Sequence, residues 1–326
     1  MIHGFINLYK PLSWTSHDCV ARVRRVLNTK KVGHGGRLDP LATGVLPLAV
    51  GRATRLLQYL PEGKAYRATV RFGVTTSTDD LEGDIVQQKP AAHLTQLAIE
   101  AVLPKFIGTL NQVPPMYSAI QVEGKRLYDL ARKGKTIEVP TRQVVIHSLT
   151  VTGWQAGEQP ELTVEVVCGA GTYIRSLARD LGELIGTGAT LAGLVRSHSS
   201  GFDLANSLSL EQLATAVEQG TFVPEPAGAA VAHMDAIALP LDLARRWQLG
   251  QKLTMQDVDP YIPPTVRQEQ LVSPVRVLAA ETDTFLGIGE FRVGLPTIAP
   301  AIPEIPVASL AAPKIFAPKR VFLPLG

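Results

Sequence analysis

The sequence predicts an α+β protein in two parts, a larger mixed domain and a smaller β-rich one, and three observations carry that expectation. Residues 66–74 and 162–168 alternate with period two, the pattern of half-buried strands. Residues 16–27 and the stretch after Gly171 repeat apolar side chains at helical spacing instead. From about Met234 the chain changes character, and residues 271–278 and 285–293 read as the two strands of a β hairpin.

In chain order, Ser16 is placed to cap the first helix. Val20, Val23 and Leu27 fall on one face, with Arg22, Arg24 and Arg25 mainly away from it. Residues 45–50 read as a short strand interrupted by Pro47, and residues 52–60 as a helix carrying Ala53, Leu56, Leu57 and Leu60 at helical spacing. In residues 66–74, Tyr66, Ala68, Val70 and Phe72 share one face and Arg67, Thr69 and Arg71 the other, so Tyr66 opens a strand and faces the core side. The run Asp79-Asp80-Leu81-Glu82-Gly83-Asp84 lacks the ligand spacing and closing glutamate of a calcium loop and reads as an acidic turn. Residues 93–106 read as helical, and residues 118–144 carry mixed charge, with Lys125, Arg126, Arg132, Lys133, Lys135 and Arg142 against Glu123, Asp129 and Glu138.

Leu162, Val164, Val166 and Cys168 alternate with Thr163, Glu165 and Val167, a strand buried more on one side. Gly169-Ala170-Gly171-Thr172 then turns the chain, and Thr172 is placed to cap the next helix. Its buried stripe is Ile174, Leu177, Ala178 and Leu181, while Arg175 and Arg179, four apart, project from a neighbouring face. Residues 221–233, with Pro224 and Pro226, read as a linker. Six prolines between Pro296 and Pro318 predict an extended insertion, after which residues 318–322 resume a strand pattern.

Composition narrows the function classes. A chain of 326 residues, 45% hydrophobic and 19% charged, suits a soluble globular protein with two domains and a sizeable core. The net charge of +3 is too small to announce a nucleic-acid partner by itself. Between Lys10 and Lys31, however, six basic residues face one acid, Asp18, a local basic face suited to phosphate. Cys19 and Cys168 show neither metal-ligand nor disulfide spacing, and Cys168 is expected as a buried thiol. The chain shows no dinucleotide fingerprint, P-loop or signal-peptide series, and no apolar run approaches ~18 residues. A cytoplasmic protein without membrane span or nucleotide cofactor is expected.

The chemistry concentrates in Gly33-His34-Gly35-Gly36-Arg37-Leu38-Asp39-Pro40-Leu41-Ala42-Thr43-Gly44. Pro40 pushes Asp39 toward extended geometry. Gly35 and Gly36 let the backbone approach a ligand closely. His34 and Arg37 bring donors suited to phosphate or a polar base edge. A carboxylate with a reference pKa of roughly 3.9 is ionised at neutral pH and can act as a nucleophile or ion stabiliser. Taken alone, Asp-Pro in a glycine-rich turn is also ordinary turn chemistry.

The run from Gly33 through Pro47 resembles the catalytic motif of TruB-type tRNA pseudouridine synthases, and five further blocks match in order. Asn7-Leu8-Tyr9-Lys10-Pro11 with Thr15-Ser16 resembles the opening segment of that family, and Lys64-Ala65-Tyr66-Arg67-Ala68 its tyrosine motif. Pro114-Pro115-Met116-Tyr117-Ser118-Ala119 and Gly124-Lys125-Arg126-Leu127-Tyr128 follow, and Gly171-Thr172-Tyr173-Ile174-Arg175-Ser176-Leu177 resembles its arginine motif. The likeness covers residues 4–210 closely and continues more loosely beyond. There Gly250-Gln251, Gly287-Ile288-Gly289 and Lys319-Arg320-Val321-Phe322 resemble a PUA-type RNA-binding barrel. Two departures flank the aspartate: Gly35 stands where threonine is usual, and Arg37 where a small residue or threonine is common.

The resemblance implies a mixed, largely antiparallel-sheet pseudouridine synthase domain over residues 1–220, in which residues 118–144 form an insertion that folds over the T loop. It implies a linker at 221–233 and a PUA-like domain at 234–326, interrupted by the proline-rich residues 296–318. The implied reaction isomerises uridine 55 in the T arm of tRNA after the base is flipped outward. Asp39 is implied as nucleophile, Arg175 as the cation that keeps it ionised and aimed, Tyr66 as the ring stacking on the target base, and His34 as the residue that pries the uridine out. Arg37, Tyr173, Lys125, Arg126 and Lys10 complete the substrate-binding candidates. The expected partner is tRNA through its T stem-loop, with no metal and no small-molecule cofactor, and a monomer is expected. The sequence leaves open whether Asp39 attacks ribose C1′, assists a glycal route or adds to C6. An RNA chaperone on the same scaffold would have no need of Asp39, although assistance to tRNA folding can coexist with catalysis. A carboxylate glycosidase needs a second carboxylate, which only the fold could bring, from Asp79 or Asp80. A pseudouridine synthase of another substrate class is disfavoured by the insertion and the C-terminal module.

Overall fold

The computed structural model describes residues 2–118, 121–122, 125–126, 139–268, 274–293 and 314–322. Its contacts divide the chain into two units. One joins Ile6–Leu48 with Leu60–Val223, and the other joins Met1–Phe5 with Ala49–Tyr59 and Pro224–Gly326.

The first unit is organised by period-two patterning. Its strands are β1 (Gly4–Lys10), β2 (Val32–His34), β3 (Ala42–Val50), β4 (Lys64–Phe72), β5 (Val74–Thr76), β6 (Ile85–Gln88), β7 (Gly108–Gln112), β8 (Gln121–Val122), β9 (Lys125–Arg126), β10 (Arg142–Gln155), β11 (Glu161–Cys168), β12 (Ala189–Ser199) and β13 (Phe202–Asp203). Nine of them form one sheet in the order β1-β3-β12-β4-β11-β10-β7, with β2 on β3 and β13 on β12. The β12–β4, β4–β11, β11–β10, β10–β7 and β12–β13 pairings are antiparallel, while β3–β12 is parallel. The expected mixed, largely antiparallel α+β architecture is therefore present. Because β3 lies between β1 and β12, almost all of it is buried, which is why its sequence reads as a continuous apolar run.

The helices of this unit are α1 (Ser16–Val26), α2 (Gln96–Glu100), α3 (Ile174–Ile185) and α4 (Leu210–Glu218). The stripe Ile174, Leu177, Ala178 and Leu181 of α3 packs with the inward faces of β4 and β11, including Ala68, Val70, Phe72, Leu162, Val164 and Val166. The burial of these side chains carries the usual hydrophobic gain, of order 1.5–3 kcal/mol for each large one.

Several local expectations are corrected. The cap of α1 is Thr15, not Ser16: Thr15 Oγ1 accepts from the Asp18 amide at 3.1 Å and the Asp18 carboxylate accepts from the Thr15 amide at 2.9 Å, a capping box. Ser16 turns its hydroxyl inward to Leu38 instead. Thr172 does not cap α3, because its hydroxyl donates to Gly169 O, and the N-cap position is Tyr173, which makes no side-chain cap. Residues 93–106 split into α2, capped by Thr95, and a 3-10 turn at Leu103–Phe106, where Pro104 has no amide to continue the helix. Residues 52–60 form a 3-10 helix, Gly51–Tyr59, whose buried Ala53 and Leu56 lie three apart, the repeat of that helix.

The second unit carries a five-stranded sheet of β14 (Ala236–Leu239), β15 (Leu253–Thr254), β16 (Val275–Ala279), β17 (Thr284–Val293) and β18 (Lys314–Val321), ordered β14-β16-β17-β18-β15. The β16–β17 hairpin is antiparallel, as expected, though β16 begins at Val275, and residues 271–273 and 296–313 lie outside the described residues. Helix α5 (Leu241–Gln248) puts Leu243, Ala244 and Trp247 into the core, and Trp247 stacks on Phe316 at 6.5 Å. A Cβ at Gly289 would lie 2.3 Å from Phe316 Cζ, so any larger residue here requires the buried Phe316 ring to move. Among the described residues no helix is long and apolar enough to cross a membrane.

Candidate active site

The loop between β2 and β3 carries Asp39, and its backbone is fixed at every residue from Gly35 to Pro40. The Gly35 amide donates to Pro47 O at 2.7 Å, and the Leu38 amide to Ser16 Oγ at 2.8 Å. Asp39 O accepts from the Ala42 amide at 3.1 Å and Pro40 O from the Ser13 amide at 2.9 Å. The carbonyls of Gly36 and Arg37 accept from Arg196 at 3.3 and 3.2 Å. The Asp39 carboxylate is the free end of this framework, with its side chain 42% exposed.

Arg175 meets it from the first turn of α3. Its Nη2 lies 2.8 Å from Asp39 Oδ2 and 2.9 Å from Tyr117 O, and its Nη1 lies 3.2 Å from Asp80 Oδ2 and 3.0 Å from Thr78 O. Arg175 and Asp80 are 6% and 3% exposed, so the cation is held by a buried acid on one side and offered to a half-exposed one on the other. Next to it Arg179 pairs with Asp79 at 2.9 Å. Two acids adjacent in sequence thus hold two arginines one helical turn apart. Asp79 takes a positive φ of 61°, tolerable for aspartate, to point its side chain there. Burial raises the pKa of Asp79, with Arg179 opposing.

Asp39, Lys64, Tyr66, Tyr173, Arg175 and Leu194 line one cavity of about 210 Å³, with Arg37 at its margin. This is below the ~300–1,000 Å³ of typical drug-sized pockets. Tyr66 comes from β4, and burial of its phenol raises its pKa, with Arg196 acting in the opposite direction. The ammonium of Lys64 is pushed down by burial and by Arg196. The phenol of Tyr173 is raised by burial, and its backbone is clamped by Gln112, whose side chain accepts from the Tyr173 amide at 2.8 Å and donates to its carbonyl at 3.0 Å.

The other expected residues lie elsewhere. Lys10 is fully buried behind the loop, its ammonium spent on the carbonyls of Pro11, Trp14 and Pro40, so it braces the Asp39 turn and presents no surface charge. His34 is partly buried, with its pKa lowered by burial and by Arg37, and its Nδ1 has no hydrogen-bond partner among the described residues. It is not among the residues lining the cavity. Lys125 and Arg126 form backbone strand β9, and their side chains lie outside the described residues. Sequence reasoning gave no site role to Lys64, Leu194 and Arg196, and it named Asp80 only as a carboxylate that the fold could bring close, not as a partner of Arg175. Only Asp80 left a signal, an acidic pair placed to answer two arginines at helical spacing. Among the described residues no cluster of three His, Cys, Asp or Glu side chains could hold a metal ion.

Residues 24–174 match the family model described as TruB family pseudouridylate synthase (N terminal domain), and residues 175–244 match tRNA pseudouridylate synthase B C-terminal domain. A protein named tRNA pseudouridine synthase B from Trichormus variabilis is 55% identical over 294 residues, covering 90% of this chain and 96% of that one. One of the same name from Synechocystis is 56% identical over 256 residues, covering 78% and 86%. Among solved structures, a Cbf5-Nop10-Gar1 complex matches with a TM-score of 0.66 at 25% identity over 88% of this chain and 78% of that one. An H/ACA RNP bound to a substrate RNA containing 2′-deoxyuridine matches in fold, with a TM-score of 0.67 at 23% identity over 98% and 85%.

Proposed function

Because the chain belongs to the TruB family of pseudouridylate synthases, we propose that it converts uridine 55 in the T arm of tRNA to pseudouridine, with Asp39 as the nucleophile. The reaction breaks the bond between ribose C1′ and N1, joins C1′ to C5, releases the C5 proton and leaves a proton on N1, so it is an isomerisation with no net redox change. The observation that carries the reading is the 2.8 Å pair between Asp39 and Arg175 at a base-sized cavity that also holds Tyr66. A guanidinium at that distance fixes the direction of the carboxylate. The half-exposed carboxylate remains open to a ribose presented from outside.

In this reading the uridine leaves the T loop and enters the cavity, where the Tyr66 ring stacks on it; such stacking is worth about 1–3 kcal/mol per base. Arg37 and Lys64, which also line the cavity, are the cations available there to a phosphate of the flipped nucleotide. Residues 1–220 carry the catalysis, residues 118–144, most of which lie outside the described residues, supply the mixed-charge contact to the T loop, and residues 234–326 add a PUA-like RNA contact. The protein works in the cytoplasm as a monomer and needs no cofactor.

The test is tritium release from unmodified tRNA labelled at uridine C5, with wild type and Asp39→Asn in parallel. Wild type is expected to release about one equivalent per tRNA, and Asp39→Asn to bind tRNA without release. Release by Asp39→Asn at the wild-type rate would remove Asp39 from the chemistry. Release mapped to another uridine would move the site of modification.

A further inference from the structure

Arg196 is a fully buried arginine that no residue of the proposed mechanism calls for. Burying a guanidinium costs several kcal/mol unless it is well paired, yet none of the ion pairs among the described residues includes Arg196. Its partners are neutral. Nε donates to Val45 O at 2.7 Å, Nη1 to Arg37 O at 3.2 Å and Nη2 to Gly36 O at 3.3 Å, and the Tyr66 phenol lies close enough to interact electrostatically with the guanidinium.

The sheet brings these partners together. Arg196 stands directly opposite Tyr66 across the antiparallel β12–β4 pair and opposite Gly44 across the parallel β12–β3 pair. A register shift between Arg196 and His198 marks a bulge, the kind of irregularity that re-aims a side chain. Gly44 has φ +101°, and a Cβ there would lie 2.3 Å from Arg196 O, so glycine is what lets β3 approach. One cation therefore holds the loop two and three residues ahead of Asp39 and, at the same time, sits across the strand pair beside the phenol of Tyr66.

We propose that Arg196 is a positioning residue for the reaction: it ties the Asp39 loop and the Tyr66 ring into one frame, so that nucleophile and stacking surface meet the uridine together. The inference rests on the proposed roles of Asp39 and Tyr66. It adds that the Tyr66 hydroxyl serves as the anchor through which Arg196 sets the plane of the ring. A misplacement of about 1 Å in such a frame can cost on the order of 100-fold in rate.

The experiment is a double-mutant cycle of Arg196→Gln and Tyr66→Phe, reading single-turnover pseudouridine formation and tRNA Kd separately. Arg196→Gln is expected to lower the rate about 100-fold in the Tyr66 background and markedly less in the Tyr66→Phe background, where only its clamp on the loop carbonyls is left to lose. tRNA Kd is expected to stay within about 3-fold, because neither anchor faces the phosphates. Equal fold-losses in the two backgrounds, or a loss of affinity that accounts for the loss of rate, would overturn the proposal. Should Arg196→Gln lose its folded circular-dichroism spectrum, the cycle is run with Arg196→Lys, which keeps the buried charge, and the same outcomes decide. An inactive wild type would overturn the function itself and is told apart by that control.

Discussion

The guanidinium of Arg175 spans two carboxylates, 2.8 Å from Asp39 on Nη2 and 3.2 Å from Asp80 on Nη1. Only the second is buried. Asp80 therefore fixes the cation, and Asp39 receives what is left of its charge. This also bears on the glycosidase alternative: the fold does bring a second carboxylate close, but Asp80 is 3% exposed and occupied by Arg175, with no open face for a leaving group.

Removing the Asp80 carboxylate should leave Arg175 buried with half its compensation. Asp80→Ala is expected to lose roughly 3–5 kcal/mol of stability, the range for breaking a buried pair, and to lower turnover in the molecules that remain folded. Urea unfolding and single-turnover assays check both. A loss under about 1 kcal/mol would mean that Thr78 O and Tyr117 O suffice to hold the arginine.

His34 gives a pH dependence whose sign can be worked out. Burial and Arg37 lower its pKa in the folded state, so below its unfolded value of roughly 6.5 the unfolded chain binds more protons. Its contribution is intact above that pH and is lost as pH falls toward the folded pKa. His34→Gln should flatten the decline in stability across this window while leaving stability at pH 8 nearly unchanged. Parallel acid-side slopes in urea titrations of the two proteins would remove His34 as the cause.

Gly44 is tested by the smallest possible side chain. Gly44→Ala combines a positive φ with a Cβ placed 2.3 Å from Arg196 O, and each strained backbone residue costs of order 1–3 kcal/mol before any clash. The midpoint of urea unfolding is expected to fall accordingly. An unmoved midpoint would show that β3 can retreat from β12 without penalty.

Charge removal on the insertion tests its place on the RNA. Neutralising Lys125 and Lys133 is expected to reduce the slope of log Kobs against log salt by about 1 for each phosphate that no longer meets a lysine. An unaltered slope would place the insertion away from the phosphate backbone.

Much of this architecture was legible in the sequence because it depends on local periodicity. The alternation that begins at Tyr66 and the stripe Ile174, Leu177, Ala178 and Leu181 both fix a face by spacing alone, and both faces are the buried ones, although the strand opens two residues earlier, at Lys64, and ends at Phe72. Asp39 and Arg175 were legible through motif resemblance, and the fold brings them within 2.8 Å. What was not legible depends on distant pairing. Thr15 and Ser16 are equally good caps by composition, and only the approach of Leu38 decides which hydroxyl turns inward. Lys10 reads as surface charge until three carbonyls enclose it. Arg196 sits in a strand where nothing local shows that its partners lie about 150 residues upstream, at Gly36, Arg37 and Val45.

That separation sets the order in which the protein can become competent on the ribosome. Synthesis is directional, and domains form as units once enough chain is available. The Asp39 turn leaves the exit tunnel early, but the group that clamps two of its carbonyls is not translated until Arg196. A nascent chain shorter than that carries the Asp39 turn with the carbonyls of Gly36 and Arg37 still waiting for their buried partner.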